Sequence, residues 1–116
     1  MRQALLMLAI ALAPGPATAT EPVRNDNYAL FMDAWNSREA DALAPLAAQF
    51  AKAPDIWTRE LGLLTEAAAA YRNSNDARCL AMTDSLGRMI NADHTLLAFW
   101  MHRMRGMSYK RTRAFD

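Results

Sequence analysis

The sequence predicts an all-α protein: a small single domain of four to five short antiparallel helices that follows a cleaved signal peptide. No stretch alternates apolar and polar residues for long enough to form a strand, and valine and isoleucine are scarce. Apolar residues instead recur at helical spacing. The clearest case is a central helix, whose seam residues are four, three, four and three positions apart: Trp57, Leu61, Leu64, Ala68 and Tyr71.

Residues 1–19 have the three parts of a secretory signal peptide. Arg2 provides the positive n-region, residues 4–13 form an unbroken apolar run, and Ala17-Thr18-Ala19 is an A-x-A cleavage signature. The apolar run is shorter than the roughly 20 residues that a membrane-spanning helix needs. We therefore expect cleavage after Ala19 and export to the periplasm or the medium. The mature chain should then consist of a helical domain over residues 20–106 and a basic C-terminal tail over residues 107–116.

The composition of the expected mature chain limits both the function and the possible disulfides of the protein. Without Arg2 it has twelve basic and twelve acidic side chains, and this balance argues against a nucleic-acid-binding protein. Cys79 is the only cysteine, so no intramolecular disulfide can form. A homodimer linked through Cys79 is compatible with export.

The first helix is expected over Tyr28–Asn36, where three aromatic residues share one face and residues 25–27 offer N-cap oxygens. Ser37 is expected to cap a second helix that opens with residues 38–41. Pro45 should kink or split this helix, because proline lacks an amide donor. Pro54 should end it and occupy the first turn of the central helix.

Inside the central helix, Gly62 predicts the close approach of a neighbouring helix. Residues 73–76 form the clearest loop, and Ser74 or Asn75 is expected to cap the next helix. We favour a break at residues 91–93 over one continuous helix, because continuation would place Asp93 on the apolar seam. Asp93 would then cap the last helix, and Gly106 would end it.

No catalytic signature is present: the sequence has no Gly-rich phosphate loop, serine elbow or haem-attachment motif. Cys79 and His94 would form a thiol–imidazole pair if their helices folded back on each other. However, Cys79 shares an apolar stripe with Met82 and Leu86, which favours a buried, unreactive role. We therefore expect no enzyme, no catalytic residue and no cofactor.

The last helix contains candidate metal ligands, because thioethers together with imidazoles suit copper, especially Cu(I). These candidates are His94, Met101, His102 and Met104. The alternative is that both methionines fill gaps in the core while His102 faces water. A periplasmic copper-binding protein is accordingly the second function that the sequence suggests.

Basic residues are concentrated at the C-terminal end, where no acid occurs before Asp116. The candidate partner-binding residues are Arg103, Arg105, Tyr109, Lys110, Arg111 and Arg113. Such a cluster can dock an acidic protein surface or anionic lipid headgroups, although basic residues also complement the negative end of a helix. The function favoured by the sequence is that of a non-enzymatic protein-binding, accessory or inhibitor module whose partner is another protein of unknown identity.

Overall fold

The computed structural model describes residues 26–37, 39 and 41–113. These residues form α-helices and no strand, which confirms the predicted all-α class. The helices are α1 (Asp26–Asn36), α2 (Leu43–Ala51), α3 (Ile56–Arg72), α4 (Asp76–Met89) and α5 (Thr95–Arg113). In the part of the chain that the structure describes, no helix is both long and apolar enough to cross a membrane. The predicted signal peptide lies outside the described residues.

The predicted central helix is α3, which packs against each of the other four helices. Four of the five residues of its predicted seam are buried, with Leu61 and Leu64 fully inaccessible to solvent, and the fifth, Tyr71, is half-buried. Asp55 caps the helix, because its carboxylate accepts hydrogen bonds from the amide of Thr58 at 2.9 Å and from the Thr58 hydroxyl at 2.7 Å. Pro54 therefore precedes the cap, and its predicted place in the first helical turn is wrong.

Helix α2 approaches α3 closely at Gly62, as the sequence predicted. A Cβ atom built on Gly62 would lie 3.1 Å from the backbone nitrogen of Ala51 and 3.1 Å from the Cβ of Phe50. Since real Cβ atoms rarely have contacts this short, only glycine fits here without displacement. The absence of a side chain at Gly62 thus lets α3 pack directly against the end of α2.

The start of α2 differs from the prediction. The helix begins at Leu43, so Pro45 lies at its third position, where an amide has no acceptor within the helix. Proline is therefore tolerated, and the predicted kink does not occur. The hydroxyl of Ser37 accepts a hydrogen bond from the amide of Glu39 at 3.0 Å, so Ser37 stabilises the preceding turn and does not cap α2.

Aromatic residues attach α1 to the rest of the molecule. The rings of Phe31 and Trp35 meet Trp100 of α5 edge to face, at centroid distances of 5.2 and 5.7 Å. The indole Nε1 of Trp100 donates a hydrogen bond to the hydroxyl of Tyr28 at 2.9 Å. The face predicted for the first helix is therefore the face that packs, although α1 starts earlier than predicted, at Asp26.

The predicted cap of α4 and the break before α5 are both confirmed. The Oδ1 atom of Asn75 accepts a hydrogen bond from the Arg78 amide at 3.2 Å, and α4 ends at Met89. His94 immediately precedes α5 and its carbonyl accepts the Ala98 amide at 3.0 Å, so Asp93 does not hold the predicted capping position.

The end of α5 contradicts the sequence prediction. The helix continues through Gly106 to Arg113, so the predicted C-cap at Gly106 is wrong, as is the predicted tail for the residues up to Arg113. Two features hold this last part of α5 in place: Ser108 is fully buried, and Arg111 forms an ion pair with Asp76 of α4. Tertiary contacts thus extend the helix beyond a residue with low helix propensity.

Candidate functional site: the exposed face of α5

One of the predicted partner-binding residues, Arg111, is instead a connection between three helices. Its Nε and Nη2 atoms donate hydrogen bonds to the carboxylate of Asp76 at 3.1 and 2.7 Å, and Nη2 also donates to the carbonyl of Tyr71 at 2.7 Å. The guanidinium carbon lies 4.0 Å from the centre of the Tyr71 ring. The hydrogen bond from Arg111 holds the pKa of Asp76 below its ordinary value, and Asp76 in turn raises the pKa of Arg111.

Arg105 has a similar internal role between α4 and α5. Its Nη1 atom donates to the carboxylate of Asp84 at 2.5 Å and to the hydroxyl of Thr83 at 3.0 Å. Its Nη2 atom donates to the hydroxyl of Tyr109 at 3.1 Å. Because these contacts occupy the guanidinium, Arg105 contributes to helix packing, and its predicted role in partner binding has no support.

The remaining predicted cations lie together on the solvent-facing side of α5. Arg103, Lys110 and Arg113 are exposed, and none forms a hydrogen bond or ion pair within the described residues. Phe99 and Gly106 belong to the same face, because the intervals between these five residues are four, three, four and three positions. We call this exposed row the α5 stripe: Phe99, Arg103, Gly106, Lys110 and Arg113.

The α5 stripe combines positive charge with apolar area. Phe99 is 59% exposed and Tyr109, which flanks the stripe, is 44% exposed. No other atom lies within 4 Å of a Cβ built on Gly106, so an approaching surface would meet open backbone there. From Phe99 to Arg113 the stripe extends for about 21 Å, at 1.5 Å per helical residue. Aromatic residues and arginine are enriched at protein interfaces, and no acidic residue occurs in α5.

The candidate copper ligands are not brought together. Met104 is fully buried, and the Met101 sulfur faces α4, 3.5 Å from a Cβ built on Gly87. His94 is buried with its Nδ1 bonded to Glu60, whereas His102 is exposed. Within residues 26–37, 39 and 41–113, no three or more side chains of histidine, cysteine, aspartate and glutamate are grouped so that they could hold a metal ion.

Cys79 is fully buried on α4, as its apolar stripe predicted. Burial raises the pKa of its thiol, and its neighbours include Ser108 and Arg111 in the second half of α5. His94 precedes the first turn of α5, about 21 Å before Ser108 along the helix. The structure therefore separates the thiol from the imidazole, and the burial of Cys79 gives no support to a disulfide-linked homodimer.

Sequence reasoning missed a buried pair formed by Glu60 of α3 and His94. The imidazole Nδ1 and the Glu60 Oε1 are 2.5 Å apart, and the side chains are only 3% and 5% exposed. The amide of Asn91 donates to the other Glu60 oxygen at 3.2 Å. The available signal was the position of Glu60, three residues after Trp57 and next to Leu61, which places it on the buried side of α3.

We compared the chain with protein-family models, with curated proteins and with solved structures, and none of them matches it. Relatives thus provide no functional information, and a proposal has to be based on the geometry of the described residues. The α5 stripe contains all three of the predicted partner-binding cations that remain exposed, Arg103, Lys110 and Arg113.

Proposed function

We propose that the protein is an exported, non-enzymatic protein-binding module that docks an acidic surface of another protein against the α5 stripe. The observation that supports this proposal most strongly is the exposure of Arg103, Lys110 and Arg113 on a helix without acidic residues. Complementary charge accelerates association and fixes orientation, while the exposed ring of Phe99 adds apolar contact area. An accessory subunit or an inhibitor would use such a surface.

Charge reversal on the stripe tests this proposal. We expect the K110E/R113E variant to lose a partner that the unmodified protein retains during purification from its native compartment. The K52E/R88E variant is the matched control, because it changes two exposed basic residues outside the stripe by the same charge. Equal recovery of the partner with both variants would contradict the proposal. Arg111 is unsuitable for this test, because its reversal would break the ion pair with Asp76.

A further part of the proposal concerns export. We propose that the signal peptide is removed after Ala19, and N-terminal sequencing of the periplasmic product should then begin at Thr20. A cytosolic product that retains Met1 would contradict export.

The contacts between α4 and α5 support the proposed antiparallel arrangement of these two helices. Asp76, at the start of α4, bonds to Arg111 near the end of α5, whereas Asp84, further along α4, bonds to Arg105, which comes before Arg111 in α5.

Copper binding has no comparable geometric support, because the four candidate ligands do not converge. Titration of the purified protein with Cu(I) and with Cu(II) separates the two functions. We expect no stoichiometric binding of either ion, whereas a copper-binding protein would bind at least one of them stoichiometrically.

A further inference from the structure

A half-open cavity of about 450 Å³ lies between the end of α2, the first turns of α3 and the end of α4. Two of the side chains that line it, Ile56 and Met89, are 58% and 61% exposed, which is high for large apolar residues. The volume falls within the range of small-molecule sites, about 300–1,000 Å³. The lining residues are Ala51, Ile56, Arg59, Glu60, Leu63 and Met89. An apolar group bound in this cavity would cover side chains that water otherwise contacts.

The exposed charge in this lining is positive. Of its two ionisable residues, Arg59 is exposed, whereas Glu60 is only 2% exposed. Both oxygens of Glu60 are already bonded, one to His94 and the other to the amide of Asn91. The charged group that a ligand in the cavity can reach is therefore the guanidinium of Arg59.

One edge of the Arg59 guanidinium is held by the protein and the other edge is open. The Nη1 atom donates to the carbonyls of Ala53 and Pro54, at 2.9 and 2.8 Å. Among the described residues, Nε and Nη2 have no acceptor and Arg59 forms no ion pair; the carboxylate of Asp55, four residues earlier, is bonded to Thr58. The open edge carries N–H donors on both atoms, a fork that matches the two oxygens of a carboxylate. Because the backbone carbonyls already fix the other edge, less side-chain freedom is lost when an anion binds.

We propose that this cavity binds a small organic anion with an apolar body, of the alkyl carboxylate class. The carboxylate would accept hydrogen bonds from Nε and Nη2 of Arg59, while the alkyl chain would lie along Ile56, Leu63 and Met89. The inference is independent of the α5 stripe, because the two surfaces have no residue in common.

The probes are hexanoate, 1-hexanol and n-hexylammonium, which share an alkyl chain and differ in the head group. Followed by amide chemical shifts in NMR spectra of the purified protein, hexanoate should bind saturably with a dissociation constant on the order of a millimolar. The shifts should be concentrated at Ile56, Arg59, Leu63 and Met89. Hexanol should bind about tenfold more weakly, since it lacks the charge-assisted hydrogen bonds, and hexylammonium should not bind. Pentanoate and butanoate should each bind about fourfold more weakly for every methylene removed.

Two variants and a control locate the site. R59Q should weaken hexanoate binding about tenfold, whereas R88Q, which removes an exposed arginine of α4 next to Met89 but outside the lining, should not. M89E should abolish binding, because it replaces an apolar wall by an acid. Since Met89 is exposed, this variant should stay folded, and it decides the matter if circular dichroism shows R59Q to be unfolded.

Four results would overturn the proposal. The first is hexanoate binding that does not saturate, and the second is hexanol or hexylammonium that binds as tightly as hexanoate. The third is an equal loss in R59Q and R88Q, which would show only a general attraction of anions to basic residues. The fourth is an M89E variant that binds hexanoate like the unmodified protein.

Discussion

At the scale of single residues, the sequence predicts that Arg111 binds a partner, whereas the structure gives it a role in holding helices together. A lysine at this position would keep the charge but lose the paired hydrogen bonds to Asp76 and the stacking on Tyr71. We predict that Arg111→Lys lowers the free energy of unfolding by about 1–2 kcal/mol, as measured by urea denaturation. The matched change Arg113→Lys, at an exposed position of the same helix, should alter it by less than about 0.5 kcal/mol. Equal effects would refute the structural role of Arg111.

Asp76 should make the stability depend on pH in the acid range. The hydrogen bond from Arg111 lowers its pKa below the ordinary value of 3.8, so below that pH the unfolded chain binds more protons than the folded chain. The contribution is therefore present above the ordinary value and is lost as the pH falls through the lower pKa of the folded state. We predict that below about pH 4 the free energy of unfolding falls more steeply for the unmodified protein than for Asp76→Asn. Parallel pH profiles from urea titrations would contradict this.

Glycines at two positions make opposite predictions at the scale of the helix. Gly62→Ala should lower the free energy of unfolding by about 1–3 kcal/mol, because its Cβ would press on Phe50 and Ala51 of α2. Gly106→Ala should raise it by about 0.5–1 kcal/mol, because α5 continues through this residue and nothing lies near the new Cβ. Thermal and urea unfolding of both variants provide the measurement. A destabilising Gly106→Ala would show that α5 ends there, as the sequence had suggested.

The helices that could be predicted from the sequence are those with a long seam and a strong cap. The seam of α3 and the cap at Asn75 are local patterns, and both were confirmed. The start of α2 could not be predicted, because a serine hydroxyl can stabilise either an isolated turn or the start of a helix, and Ser37 stabilises a turn. The end of α5 was predicted wrongly because the presence of Gly106 indicated a helix end. The spacing of four and three residues from Met104 through Ser108 to Arg111 nevertheless continues the side of α5 that packs against the other helices.

The candidate site could be predicted only in part, and the reason lies in rotation about the axis of α5. A count of basic residues does not distinguish Arg103, which faces solvent, from Arg105, which bonds to α4. Only the contacts of α5 with its neighbours decide this. The same holds for Glu60 and His94, which are far apart in sequence and pair through contacts between α3 and the residues before α5.

At the scale of the whole molecule, α5 divides its basic residues between an internal and an external surface. Arg105 and Arg111 connect it to α4, and Arg103, Lys110 and Arg113 remain on the α5 stripe. The central claim is that this external surface, rather than another face of the protein, contacts the partner.

Site-specific photocrosslinking in the native compartment tests this claim most directly. A photoreactive benzoylphenylalanine placed at Lys110 should give a discrete adduct with one partner protein, and R103E/R113E in the same chain should abolish that adduct because the charge complementarity is lost. The same group at Lys52, the exposed residue that follows α2, is the control and should give no such adduct. The α5 stripe would be excluded as the binding surface if the adduct formed equally from Lys52, or if it persisted after the charge reversal.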